Sequence, residues 1–131
     1  MKLHILLVDD DKDELSFFLD ALKDVPCDDG FKCTYANNPQ QAIEMLKYLV
    51  PDFIFFDYNM PETNGLELLL SIKNQLGLEK PKVYLYSIFT TERIKRAAMN
   101  IGASGAIKKM NTIRALRDEL ASVLPPAAIP A

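Results

Sequence analysis

The sequence predicts an α/β fold: a doubly wound, five-stranded parallel sheet with helices on both faces. Continuous apolar runs too short for helices alternate with stretches of helical period, five times along the chain. Every candidate reactive residue falls where one of those runs ends, at the rim where sheets of this kind bind ligands. A chain of 131 residues, 49% of them hydrophobic, also suffices for one sizeable core and leaves no room for a second domain of ordinary size.

The first strand is predicted from Leu3 to Val8, an apolar run broken only by His4, and it ends in Asp9, Asp10 and Asp11. His4 is the only histidine, and inside a strand it reads as a packed or edge residue rather than a catalytic base. Leu15, Phe18, Leu19, Leu22 and Val25 form the stripe of the first helix. Acids at a helix start are favoured by the helix dipole, so Asp11 and Asp13 suit that position and one of the three successive aspartates reads as a cap. Cys27 and Cys33 flank the Asp28-Asp29-Gly30 turn, and with no second cysteine pair or histidine cluster they read as free thiols. The second strand, Phe31 to Ala36, is the most polar and suits a sheet edge.

An Asn38 cap and Pro39 in the first turn introduce a second helix with Ala42, Met45, Leu46 and Leu49 inward. The third strand, Asp52 to Phe56, contains the unbroken run Phe53-Ile54-Phe55-Phe56 and delivers Asp57 to Tyr58-Asn59-Met60-Pro61 and the turn pair Asn64-Gly65. A carboxylate where a buried strand gives way to a loop is held rigidly and yet reachable. The third helix is expected from near Asn64, with Leu68, Leu69, Ile72 and Leu76 on its stripe. Lys82 to Ser87 is the fourth strand, followed by a helix entered at Thr90 or Thr91 that turns Ile94, Ala97, Ala98 and Ile101 inward. Ser104 to Lys108 is the fifth strand, and the last helix, entered at Asn111 or Thr112, does the same with Ile113, Leu116, Leu120 and Val123. Residues 1–124 form the domain, and the proline-rich residues 125–131 read as a short disordered tail.

No apolar stretch approaches the ~20 residues that span a bilayer. The start, Met1-Lys2-Leu3, runs into a strand pattern rather than a signal peptide, so a soluble, cytoplasmic protein is expected, with no membrane partner. The net charge of -3 is unevenly spread: residues 1–90 carry 8 basic and 15 acidic side chains, residues 91–131 carry 7 and 3. Such a split marks either a face for an acidic partner or a solvated surface. A pI of about 5.1 argues against nucleic acid as a partner.

On adjacent parallel strands, the carboxylates after strands one and three lie within a few Å of one another. At ~4 Å and an effective dielectric of ~20, each like-charge pair costs on the order of 4 kcal/mol. Something cationic must sit among them, or one must keep its proton. In chain order the rim then collects Asp9 and Asp10, Asp57, Ser87 and Lys109.

These positions resemble the receiver domain of two-component response regulators, the CheY-like family. The similarity runs from Ile5-Leu6-Leu7-Val8-Asp9-Asp10-Asp11 through FDYNMPETNGLEL, Phe56 to Leu68, to GASGAIKK, Gly102 to Lys109. The resemblance implies a flavodoxin-like sheet of order 2-1-3-4-5. It implies that Asp57 is the phosphoacceptor, taking a phosphoryl group from a sensor histidine kinase or a histidine phosphotransfer protein, so that the chain is no conventional enzyme but catalyses its own phosphorylation and slow dephosphorylation. By the same resemblance Asp10, Asp57 and the backbone carbonyl of Asn59 ligate Mg²⁺, with Mn²⁺ able to stand in, and Asp9 supports the ion directly or through water. Lys109 and Ser87 then contact phosphoryl oxygens, and the helix 4, strand 5 and helix 5 surface switches for an unidentified downstream protein, with the chain a monomer or a phosphorylation-dependent dimer. As no output domain follows Leu124, the chain is expected to act by binding another protein or by passing the phosphoryl group onward.

Four positions depart from the family pattern. Met110 stands where a proline, often cis, usually follows the active lysine, and a cis bond before a non-proline residue costs about 3–4 kcal/mol, so a trans link is expected. Ala106 replaces the switch aromatic of strand five. Ile88 brings branched bulk beside Ser87 and is expected to restrict access to the acceptor. Asn64 replaces an acid before Gly65, a mild change in a turn. Three other readings compete: a flavin-nucleotide module, disfavoured by the phosphate-repelling Asp9-Asp10-Asp11; a haloacid-dehalogenase-like phosphatase using Asp9 with Asp11, which would leave Asp57 idle; and a receiver fold that serves as an unphosphorylated interaction module.

Overall fold

The computed structural model describes residues 2–27, 29–57, 65–76, 81–88 and 90–125. Strands and helices alternate as β1 (Leu3–Val8), α1 (Lys12–Lys23), β2 (Phe31–Ala36), α2 (Pro39–Leu46), β3 (Phe53–Asp57), α3 (Gly65–Leu76), β4 (Lys82–Ser87), α4 (Glu92–Ile101), β5 (Gly105–Lys108) and α5 (Ile113–Val123). The strands form one sheet of order β2-β1-β3-β4-β5, every pairing parallel, as the resemblance implied. The polar second strand is indeed an edge. The predicted loop from Tyr58 to Asn64, with Asn59 in it, lies outside the described residues, as do the tail from residue 126 onward and the side chains of Leu68 and Leu76.

Continuous apolar strands are explained by burial on both faces. Successive side chains of a strand point to opposite sides, so Ile5 and Leu7, with Phe53, Phe55, Tyr84, Tyr86 and Ile107, meet α1 and α5 through Phe18, Leu22, Leu116 and Leu120. Leu6, Val8, Ile54, Phe56, Val83 and Leu85 point the other way, onto Ala42 and Leu46 of α2, Leu69 and Ile72 of α3, and Ala98 of α4.

Helix starts follow the predicted caps. Asp11 accepts from the Asp13 N–H at 2.9 Å, Asn38 from Gln41, Thr91 from Ile94 and Thr112 from Ala115. Gly102, at φ 124°, ends α4 in a conformation that favours glycine.

Two strand boundaries shift by one residue. β3 runs to Asp57 because Asp57 stays in register with Tyr86, while Asp52 instead accepts the His4 N–H on its carboxylate at 2.8 Å. β5 begins at Gly105, although the Ser104 N–H already donates to the Val83 carbonyl. Ile113, expected inward, stands 37% exposed in the first turn of α5, where the helix has not yet reached the sheet. His4 bonds sideways across the β1–β2 pair, its Nε2 2.6 Å from Thr34 Oγ1. Both cysteines are free thiols, and burial pushes the Cys33 thiol up to about 12.

Candidate functional site

Parallel strands bring all their carboxyl ends to one rim, and β1 and β3 are neighbours there. Val8 is in register with Phe56, so the next residues, Asp9 and Asp57, meet. Asp9 is fully buried and Asp57 only 7% exposed, while Asp10 faces solvent. One carboxylate oxygen from each of the three lies within 4.8 Å of the others. Asp11 is not in this group; its carboxylate caps α1.

Asp9 is held from several sides. Its Oδ1 accepts the Asp11 N–H at 3.0 Å, its own N–H donates to the Ala36 carbonyl at 3.1 Å, and its carbonyl accepts the Tyr35 hydroxyl at 2.5 Å. Lys109 reaches the pair from β5. Its N–H extends the β4–β5 ladder by donating to the Ser87 carbonyl at 2.8 Å, and its side chain passes over Tyr86 so that Nζ sits 2.7 Å from Asp9 Oδ2 and 3.3 Å from Asp57 Oδ2. The Asp57 contact is also a hydrogen bond. The shorter Asp9 contact is a buried ion pair, and the ammonium is the one partner that Oδ2 has among the described residues.

The electrostatics follow from this packing. Burial pushes the Asp9 carboxyl up to about 6, against the pull of the Lys109 ammonium and the Asp11 N–H. Burial also works against the charge on Lys109, but Asp9, Asp57 and Glu14 outweigh it and hold the ammonium above its usual range. The cation required by the crowded aspartates is therefore supplied, in the protein alone, by Lys109. Three acidic oxygen ligands within 4.8 Å of one another also form a set that fits a hard divalent cation such as Mg²⁺.

Ser87 ends β4, 2% exposed. The strand alternation sends its side chain to the face opposite Tyr86, where it borders an open cleft of about 340 Å³ with Ile88, Thr90, Ala106 and Lys108. Ile88 is 72% exposed on the margin of this cleft, and Ala106 fills little of it. The Thr90 hydroxyl oxygen, also at this cleft, is buried without a hydrogen-bond partner. The Lys109–Met110 peptide is trans, and Met110 is partly buried against the α1–α5 side of the core, which anchors the chain just after the lysine.

Of the predicted site residues, Asp9, Asp10, Asp57 and Lys109 are brought together and Ser87 borders the same rim; Asn59 lies outside the described residues. Two participants were not singled out from the sequence, Tyr86 and Glu14. Tyr86 donates its hydroxyl to Glu14 Oε2 at 2.5 Å while its ring lies 5.3 Å from Lys109 Nζ. The available signal was a tyrosine on a strand buried on both faces, whose hydroxyl must find a partner.

The response regulator receiver domain family matches residues 5–121, and the chain belongs to that family. Among curated proteins it is 31% identical over 106 residues to the response regulator SaeR of Staphylococcus aureus, covering 81% of this chain and 43% of SaeR. It is 30% identical over 105 residues to protein RcaC of Microchaete diplosiphon, covering 80% of this chain and 16% of RcaC. The chain thus spans about half or less of the length of the curated relatives it matches. Among solved structures, the chemotaxis response regulator CheY4 of Vibrio cholerae superposes with a TM-score of 0.79 at 22% identity, over 95% of this chain and 100% of that one. The response regulator domain of Thermotoga maritima CheB gives 0.77 at 27% identity, over 93% and 92%. The flavodoxin-like, CheY-like fold of two-component signalling is thereby shown.

Proposed function

We propose that the protein is a phosphoacceptor receiver that takes a phosphoryl group on Asp57 from a histidine kinase or histidine phosphotransfer protein in the cytoplasm. The observation that carries this reading is the Lys109 ammonium seated between Asp9 and Asp57 at the carboxyl rim of β1 and β3, in a chain that belongs to the receiver family. An Asp57 carboxylate oxygen attacks the phosphorus, the P–N bond to the donor imidazole breaks, and its electron pair stays on the ring nitrogen, which takes a proton from solvent. Carboxylates are weak nucleophiles, so placement and charge supply most of the rate. In the slow dephosphorylation, water attacks the phosphorus and the acyl P–O bond breaks, releasing inorganic phosphate and the carboxylate.

Asp9, Asp10 and Asp57 would hold Mg²⁺, with the Asn59 carbonyl as the further ligand expected from the sequence. Bound there, the ion supplies positive charge against the carboxylates and the phosphoryl oxygens. Lys109 exchanges its carboxylate partner for a phosphoryl oxygen, and the Ser87 hydroxyl donates to another. Ser87 faces the cleft beside Ala106, so its movement is the link to the surface of α4, β5 and α5 that a downstream protein would read. With no aromatic at Ala106, that link runs through the cleft itself. A haloacid-dehalogenase-like reading is disfavoured because the Asp11 carboxylate is committed to the α1 cap.

The test is intact mass after incubation with acetyl phosphate and Mg²⁺. One phosphoryl group is expected on the wild-type chain, and none on Asp57→Asn or in the presence of a chelator. Equal labelling of Asp57→Asn would overturn the assignment.

A further inference from the structure

We propose that Tyr86, fixed by Glu14, is a positioning residue that seats the Lys109 ammonium at the acceptor. The inference rests on the phosphoacceptor reading of Asp57. It starts from the length of the lysine arm: Lys109 must cross β4 to reach β3 and β1, and a four-carbon stem has many rotamers to lose. Two carboxylates define two sides of its seat, at 2.7 and 3.3 Å. The Tyr86 ring forms the third, with its centroid 5.3 Å from Nζ, within the range of a cation–π attraction that strengthens as water is excluded.

The ring is placed for this by the sheet and kept there by its neighbours. Tyr86 is in register with Asp57, and strand alternation turns both side chains to the same face. It is fully buried, its hydroxyl donates to Glu14 Oε2, and it meets Phe18 edge-on at 5.6 Å and 72°. A ring also suits the task chemically. Unlike a third carboxylate beside the acceptor, it adds no negative charge, and it offers no hydrogen bond that must break when the ammonium turns to a phosphoryl oxygen. Glu14 holds the ring through the Tyr86 hydroxyl and not the ammonium itself. Here the backbone after the lysine carries no proline, so side-chain packing does the orienting.

Two measurements test the seat. In metal-free protein, the Lys109 ε-methylene protons, assigned by their loss in Lys109→Ala, are expected upfield of ordinary lysines through the ring current of Tyr86. Tyr86→Phe should keep that shift and Tyr86→Leu should abolish it. In labelling by acetyl phosphate with Mg²⁺, Tyr86→Leu is expected to slow the reaction about three- to tenfold, and Tyr86→Phe, which keeps the ring, to restore most of the rate. In a Lys109→Ala background Tyr86→Leu should cause no further loss. Ordinary ε-proton shifts in the wild type, or the same slowing with and without Lys109, would overturn the proposal. Should Tyr86→Leu not fold, Tyr86→Phe and the wild type decide: an upfield Lys109 ε-proton shift in both supports the seat, and ordinary shifts in both refute it. If no chain is labelled at Asp57, the phosphoacceptor reading fails, and the ring-current shift still decides whether Tyr86 holds Lys109.

Discussion

The face of the sheet under α1 and α5 is lined by Phe18, Phe53, Phe55, Tyr84 and Tyr86, while among the described residues the face under α2, α3 and α4 has one buried aromatic, Phe56, among aliphatic side chains and alanines. On the first face the rings touch in series, Phe53 on Phe55 and Tyr84, Phe55 on Tyr84, and Phe55 and Tyr86 on Phe18, with centroids 5.5 to 6.4 Å apart. Alternation along the strands assigns the chemistry to the same two sides. Asp57 and Tyr86 share the aromatic side, whereas Ser87 and Ala106 border the cleft on the other. Large interlocked rings back the carboxylates and the lysine, and small side chains line the cleft on the other side.

The largest expected effect compares adjacent residues on opposite faces. Phe55→Ala should lose about 3–5 kcal/mol of stability and Ile54→Val about 0.5–1.5, both read by urea unfolding; a Phe55→Ala loss no greater than that of Ile54→Val would erase the distinction between the faces.

Next comes the cost of the buried acid. Below pH ~4 Asp9 is protonated in both the folded and the unfolded chain; as pH rises through about 6, the folded protein must give up that proton and leave a charge in a buried site, and the stability present at low pH is lost. Asp9→Asn lacks that loss, so in chelator its stability relative to wild type should rise between pH 4 and pH 7 by about 1–2 kcal/mol, discounted for water at the rim. A difference that is flat with pH would show that the carboxyl is not raised.

Gly102→Ala, at the end of α4, should cost about 1–2 kcal/mol, because φ there is 124° and the new Cβ would approach the tip of Lys73 to 2.7 Å. The smallest effect is expected at Ala106→Val, under about 1 kcal/mol, since the added methyls enter open space; a larger loss would show that the cleft side is packed as tightly as the aromatic side. Thermal or urea midpoints suffice for both.

Strands were legible because burial on both faces writes itself as unbroken apolar runs, and the helix starts because Asn38, Thr91 and Thr112 carry the side chains that cap. Asp9, Asp57 and Lys109 were legible as residues at the ends of strands. Their common rim follows once β1 and β3 are known to be neighbours, which the resemblance supplied and periodicity could not. Tyr86 was hidden because an aromatic in a buried strand looks like any core residue, and Glu14 because an acid in the first turn of a helix already has a reason to be there. Ile113 was misjudged because helical period gives the direction of a side chain but not whether the helix has reached its neighbour.

Burial of the Cys33 thiol has a practical use. Burial holds its proton well above the ordinary thiol range, so its thiolate is scarce at neutral pH and maleimide reagents should react with it more slowly than with an ordinary thiol. Cys27, before the amino end of β2, is then the natural attachment point for a fluorophore, at the opposite pole of the sheet from Asp57. The native chain thereby offers a single labelling site without an engineered cysteine.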